Sequence, residues 1–161
     1  MHADAWRTTY RGLLPDAVLE RLDPDRMAAS RERMLREPPP GHLTLVAEDG
    51  AVVGFAVAGP SRDPAAAGEV YAVYILASHQ RRGLGRALLR ECARRLAAAG
   101  LPSLVIWVLR ENVPARAFYE RLGGAARLEK EDSVFGGSED APRHPVVETG
   151  YVWDDTAALR A

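Results

Sequence analysis

The sequence predicts one α/β domain of the α+β kind, with helices flanking a mixed sheet, and three observations carry that reading. Asp49-Gly50 separates two β-rich runs, Leu43 to Glu48 and Ala51 to Ala58. Leu84, Leu88, Cys92 and Leu96 recur at helical spacing between two apolar β-type runs. A helix-like stretch from Asp4 to about Glu37 stops at Pro38-Pro39-Pro40-Gly41. With 161 residues and 47% hydrophobic content, a single core can be stable without disulfides or metals.

In chain order, Pro15-Asp16 and Asp23-Pro24-Asp25 each open a short helix, because aspartate caps well and proline suits the first turn. Asp49-Gly50 closes a hairpin, since both turn residues tolerate positive φ. Gly59 to Gly68 reads as a loop and Glu69 to Leu76 as a third strand. The helix from Leu84 ends at Gly100. Ser103 to Leu109 is a strand, and Asn112 caps a helix that runs to Leu122, with Pro114 in its first turn and Gly123-Gly124 ending it. Ala126 to Phe135 and Pro145 to Trp153 are two last strands around a polar loop, Gly136 to His144.

Composition narrows the function. A formal net charge of −1 supplies no field that would draw the chain to nucleic acid or an anionic membrane, so neither partner is expected. Cys92 has no partner for a bridge and no apolar run reaches the roughly 20 residues that span a bilayer. With no targeting peptide at the start, a cytoplasmic location is expected. The four histidines lack metal-ligand spacing, and no metal is expected.

The chemistry-bearing segment is Gln80-Arg81-Arg82-Gly83-Leu84-Gly85-Arg86, placed between a strand end and a helix start. There, backbone amides and the positive end of a helix dipole converge on an anion. The string GxxxxGK[ST] of a P-loop is absent. A dinucleotide fingerprint fails too: Leu88 stands where the third glycine belongs, and no acid lies between Glu91 and Glu111. Read by themselves, Arg81, Arg82 and Arg86 also suit a solvated basic helix start.

What remains is [Q/R]xxGx[G/A], matched by Gln80, Gly83 and Gly85, together with the strand Val73-Tyr74-Ile75, the strand Ile106-Trp107-Val108 and the helix motif Asn112-x-x-Ala115-x-x-Phe118-Tyr119. On these residues the chain resembles the GCN5-related N-acetyltransferase (GNAT) superfamily from about Leu43 to Gly124, and more loosely to Trp153. The resemblance implies a mostly antiparallel sheet splayed between its fourth and fifth family strands. It implies acetyl-CoA as acetyl donor, with the coenzyme pyrophosphate on Arg81, Arg82, Gly83, Leu84, Gly85 and Arg86, and Asn112 touching the coenzyme as well as capping its helix. The third strand is expected to part from its neighbour after Ile75, so that backbone amides of Val73, Tyr74 and Ile75 meet the pantetheine arm and the thioester carbonyl. Tyr119 is expected to protonate the departing sulfur, as a phenol of pKa about 10 can toward a thiolate of about 8.5; a plain core aromatic, as Phe118 is expected to be, is the other reading.

Strand alternation puts Glu69 on the face of Tyr71, Val73 and Ile75, where a carboxylate could deprotonate the acceptor; an ordinary strand-end glutamate in solvent is the other reading. The acceptor is a small-molecule or peptide amine, expected among Trp6, Tyr10, His42, Tyr71, Trp107 and Ser133 to His144. Ala77 departs from the family pattern, which has proline there, and predicts a less rigid strand end. The resemblance also implies an extra strand and the first half of a helix ahead of Ala5 to Gly12: either Met1 is downstream of the native start, or the domain does without its first edge strand, and in that second case Leu43 to Glu48 has an open edge that a homodimer would cover. An acetyltransferase and a catalytically silent acyl-CoA-binding sensor both fit the loop; Tyr119 and Asn112 favour the enzyme.

Overall fold

The computed structural model of the chain describes residues 1–134 and 143–160. Three helices open the chain, α1 (His2–Tyr10), α2 (Asp16–Glu20) and α3 (Pro24–Arg36), the last two starting at the expected Pro15-Asp16 and Asp23-Pro24. The Asp23 carboxylate accepts hydrogen bonds from the N–H groups of Asp25 (2.9 Å) and Arg26 (3.1 Å), which satisfies two otherwise unpaired donors of the first turn of α3. After the proline run come β1 (Leu43–Glu48), β2 (Val52–Pro60) and β3 (Gly68–Ile75). A 3-10 turn (Ala77–His79) leads to α4 (Leu84–Ala98), then β4 (Leu104–Leu109), α5 (Val113–Arg121), β5 (Ala125–Val134), β6 (His144–Trp153) and α6 (Ala157–Arg160).

The six strands form one sheet in the order β1-β2-β3-β4-β6-β5, antiparallel except for the β3–β4 pair. Gly50 turns the β1–β2 hairpin at φ +70°, a conformation that glycine adopts without a Cβ penalty. β2 runs two residues past the expected end at Ala58, to Pro60, and is buried continuously from Val53 to Gly59. That burial explains its unbroken apolar sequence, because a strand covered on both faces needs no polar alternation. β1 lies at the sheet edge and pairs only with β2 among the described residues.

Two apolar cores sit on opposite faces. On one, Leu88, Leu89, Cys92, Ala93 and Leu96 of α4 pack with Val70, Leu104, Ile106, Tyr151 and Trp153 of the sheet. Their i, i+4 spacing makes one stripe of α4 fully apolar while Glu91 pairs with Arg94 and Arg95 in solvent. Cys92 is a core residue whose thiol burial pushes up to about 12. On the other face, Leu14, Val18, Leu19 and Leu22 cover Leu109, with Trp6 and Tyr10 at the border. Leu89 is 0% exposed at the centre of the first core. Leu89→Ala is expected to cost about 2–5 kcal/mol through lost burial and the cavity left behind, read as a lower urea midpoint with an unchanged slope.

Candidate active site

The site begins as a failure of pairing. β3 and β4 are matched only at Gly68–Leu104, Glu69–Val105 and Val70–Ile106, and beyond Val70 they diverge. Separation therefore starts at Val70 instead of after Ile75. The cause lies on the other edge of β3: Val57 pairs with Ala72 and Ala58 with Val70, which leaves Tyr71 as an extra residue. Such a bulge bends its strand and increases the local twist. The N–H of Leu76 donates to the Val53 carbonyl at 2.9 Å, so Ala72, Tyr74 and Leu76 direct their backbone groups to β2. By alternation Val73 and Ile75 direct theirs into the gap. Of the three residues expected to offer amides there, Val73 and Ile75 do so and Tyr74 does not.

The bulge also corrects the face expected for Glu69. Val70, Val73 and Ile75 pack toward α4, whereas the rings of Trp6 and Tyr10 on α1 lie against Tyr74 on the opposite face. Glu69 belongs with the second set. It is 1% exposed, and its carboxylate accepts from the backbone N–H of Arg62 (3.0 Å), from Arg62 Nε (3.2 Å) and from the second guanidinium nitrogen of Arg62. The bond raises the Arg62 pKa, and the guanidinium lies 4.9 Å above the Tyr71 ring. Glu69 is thus not a strand-end glutamate in solvent. A carboxylate has about four acceptor positions, and Arg62 takes three.

At the upper end of the gap the chain turns through Ala77–His79 into α4. Gln80 Nε2 donates to the Ile75 carbonyl at 3.1 Å, and His79 N–H to the Leu76 carbonyl at 2.8 Å. These bonds tie down the strand end where Ala77 replaces the family's proline. Arg81 (φ +62°) and Gly83 (φ +83°) are both left-handed, the kind of backbone that turns successive N–H groups toward one anion. Ala87 N–H returns to the Gly83 carbonyl, so the N–H groups of Leu84, Gly85 and Arg86 have no partner within α4, and no side chain caps them among the described residues. A Cβ on Gly83 would meet nothing within 4 Å, while one on Gly85 would lie 3.3 Å from the Phe118 ring. Gly83 serves the turn, and Gly85 the close approach of α4 to α5. Arg81, Arg82 and Arg86 are exposed, and Arg82 lies 3.6 Å from the Asp49 carboxylate in the β1–β2 turn.

α5 closes the gap from the α4 side. Asn112 caps it by accepting from Ala115 N–H at 3.2 Å. Tyr119, 6% exposed, is wedged among Phe118, Tyr151 and Trp153. The neighbouring Tyr151 and Trp153 spend their polar atoms on Glu120 (2.6 Å) and the Leu122 carbonyl (2.8 Å). The Tyr119 hydroxyl bonds to none of the described residues. Burial raises its pKa, with a smaller push from Tyr10, so the phenol holds its proton across the physiological range. Tyr10 and Tyr74 share a hydrogen bond of 3.0 Å on the far side.

On that far side β4 and β6 present groups that the sequence did not single out together. Trp107 lies against Gly150, whose Cβ would come within 3.0 Å of the ring. Lys130 Nζ sits 4.2 Å over the same ring and 3.3 Å from Glu148. Glu148 is a half-buried carboxylate whose pKa burial raises, against the pull of Lys130. Its signal in the sequence is one acid inside an otherwise apolar strand. A cavity of about 400 Å³ opens beside the α1–α2 connection, bounded by Leu13, Leu109, Glu131, Asp132, His144 and Val146. Of the residues expected around an acceptor, His144 lines it, whereas Trp6, Tyr10, His42, Tyr71 and Trp107 do not. Residues 135–142 of the expected acceptor loop lie outside the described residues. The described residues contain no cluster of acids, histidines and cysteines that could hold a metal, and no helix long and apolar enough to cross a membrane.

A family model described as acetyltransferase (GNAT) family matches residues 3–124, and the chain belongs to that family. The uncharacterized N-acetyltransferase YuaI of Bacillus subtilis (strain 168) is 33% identical over 163 aligned positions, covering 99% of this chain and 87% of its own. A mycothiol acetyltransferase of Thermomonospora curvata is 39% identical over 84 residues, 52% of this chain but only 28% of that protein's length. The PaiA N-acetyltransferase of Thermoplasma acidophilum, solved with coenzyme A, shares the fold at a TM-score of 0.66 and 18% identity, over 91% of this chain and 86% of its own.

The Arg62–Glu69 pair separates from an ordinary surface pair by its burial. Arg62→Ala is expected to destabilise the fold by about 1–3 kcal/mol, because it strips partners from a buried carboxylate. Arg36→Ala removes an exposed pair of 2.6 Å to Glu32 and is expected to change stability by less than about 1 kcal/mol. Chemical denaturation of both variants checks the contrast.

Proposed function

We propose that the protein transfers the acetyl group of acetyl-CoA to a primary amine of a small molecule or peptide by direct attack of the amine on the thioester. The observation that carries this reading is the unpaired gap between β3 and β4, with uncapped helix amides at its upper end and an unbonded, protonated phenol in its wall. The elongated anionic cosubstrate fits that arrangement. Its pyrophosphate would accept from the N–H groups of Gly83, Leu84, Gly85 and Arg86, with Arg81, Arg82 and Arg86 adding charge. Its amide-bearing arm would pair with the edge of β3 at Val73 and Ile75, as an added strand does. Asn112, at the head of α5, would contact it from the other wall. A thioester carbonyl held at that edge finds N–H donors where negative charge develops in the tetrahedral intermediate.

As the C–S bond breaks, Tyr119 donates its proton to the sulfur. It recovers one from the nitrogen of the newly formed amide, directly or through solvent. The nucleophile must arrive as a free amine, so an ammonium acceptor has to lose a proton first. Glu69 faces the acceptor side, but in this reading its hold on Arg62 orders the β2–β3 connection and leaves it poorly placed to take that proton. The family match and the YuaI relative support acetyl transfer, and the PaiA and YncA neighbours, solved with coenzyme A and acetyl-CoA, support the cosubstrate.

Thiol release from acetyl-CoA, followed across a panel of amines and short peptides, tests the reading. Tyr119→Phe is expected to lower kcat by about 10²–10⁴-fold while acetyl-CoA affinity stays within about threefold; equal rates in both proteins would remove Tyr119 from the chemistry. Tight cosubstrate binding without turnover on any acceptor would make the protein an acyl-CoA sensor. For the loop, Gly83→Glu places a negative charge against the pyrophosphate, and the loss of about 3 kcal/mol expected from like-charge contact is a roughly 100-fold weaker Kd by calorimetry. Unchanged affinity would place the pyrophosphate elsewhere.

A further inference from the structure

We propose that Glu148 of β6 is the carboxylate that takes the proton from the acceptor ammonium. This inference rests on the acetyl-transfer reading above and names a residue for its one unassigned step. In that step the N–H bond of R–NH3⁺ breaks, the proton passes to a Glu148 oxygen, and R–NH2 keeps the electron pair that attacks the thioester carbon. After turnover Glu148 returns its proton to solvent, so each cycle converts one ammonium and one thioester into one amide, one thiol and one released proton.

Position comes first. Glu148 is opposite Leu109 in the β4–β6 ladder and opposite Lys130 in the β5–β6 ladder. Gly150, two residues on and hence on the same face, supports the Trp107 ring, and that ring carries the Lys130 ammonium. Glu148, Lys130 and Trp107 therefore share the face on which α1 and Glu69 lie, opposite the face of α4 and Tyr119. Amine attack needs the base on the acceptor's side and the acid on the sulfur's side, and the sheet separates Glu148 and Tyr119 in this way.

Availability comes next. Two of the acids on this side differ in what holds them: Glu69 accepts three hydrogen bonds from Arg62, whereas among the described residues Glu148 has one ion-pair contact, to Lys130 at 3.3 Å. Lys130 is itself shared with Asp132 at 3.7 Å. With its side chain 20% exposed, Glu148 can exchange its proton with solvent between turnovers. The charged and titratable groups that act on it are Lys130 and Asp132 of β5 and Arg62 of the β2–β3 connection, and the Glu148 charge in turn raises the pKa of Tyr10 on α1. Burial is the largest influence and raises the Glu148 pKa; Asp132 adds to the rise, while Lys130 and Arg62 oppose it. A raised carboxylate is a stronger base, and activity should fall as pH drops through its pKa.

The test is the pH profile of kcat/KM with phenethylamine and with Ala-Gly-Gly as acceptors, beside acetyl-CoA affinity by calorimetry. Glu148→Gln is expected to lower kcat/KM by about 100-fold or more, to abolish the acid limb of the profile and to leave acetyl-CoA affinity unchanged. Lys130→Met removes a charge that favours the carboxylate, and should move the acid limb to higher pH. Glu69→Gln should keep the limb. A Glu148→Gln enzyme that retains the wild-type limb, or a Glu69→Gln enzyme that loses it, overturns the assignment to Glu148 and leaves acetyl transfer standing. A wild-type protein that binds acetyl-CoA and turns over neither acceptor overturns both.

Discussion

The parting of β3 from β4 after Val70 and Ile106 is the constraint on which the remaining features depend. A parallel pair joined by a crossover helix is ordinarily paired along its length and buried on both faces. Here the pairing is given up on the side where α4 begins, so a strand edge and a helix N-terminus converge on one opening. Unpaired main-chain groups inside a fold are costly unless something satisfies them, and in the proposed function an extended, amide-bearing, anionic cosubstrate satisfies those of the opening. The two cores on either face hold the gap open: α4 anchors β3 through Val70, Val73 and Ile75, while α1 and α2 cover Leu109 of β4.

Much of this was legible in the sequence, because the relevant signals are local. Asp23, Asn112 and Gly50 act on neighbours within four residues, and each behaves as its chemistry dictates, although Asp49 keeps a negative φ where the turn was expected to use two left-handed residues. The loop from Gln80 to Arg86 was equally readable, since left-handed backbone and exposed amides leave a mark in glycine spacing. What the sequence concealed was a single inserted residue. Tyr71 looks like any strand tyrosine, yet as a bulge it moves the start of the gap back from Ile75 to Val70 and reverses the face of Glu69. Alternation is exact only while the ladder is regular, and one slip moves every later side chain to the other surface.

Long-range charge pairing was the second blind spot. Arg62 reads as a loop residue and Glu148 as an oddity in an apolar strand; only the fold brings Arg62 to Glu69 and Lys130 to Glu148. The pairs differ in consequence. A carboxylate held by a fork of donors and by a main-chain N–H is a structural strut, while one with a shared ammonium and some access to water keeps its chemistry available.

Gly85 carries a different kind of information. Its α-carbon approaches the ring of Phe118 so closely that an added methyl group would sit at 3.3 Å, tight but short of a collision. The alternative of alanine in the motif [Q/R]xxGx[G/A] is what such a distance permits, and any larger side chain would push α4 off α5. The last position of the motif thus gauges the spacing between two helices, one of which opens on uncapped N–H groups while the other carries the phenol. In the proposed function, recognition at one end of the cosubstrate and proton delivery at the other are set to a common ruler, and the last position of the motif records its length.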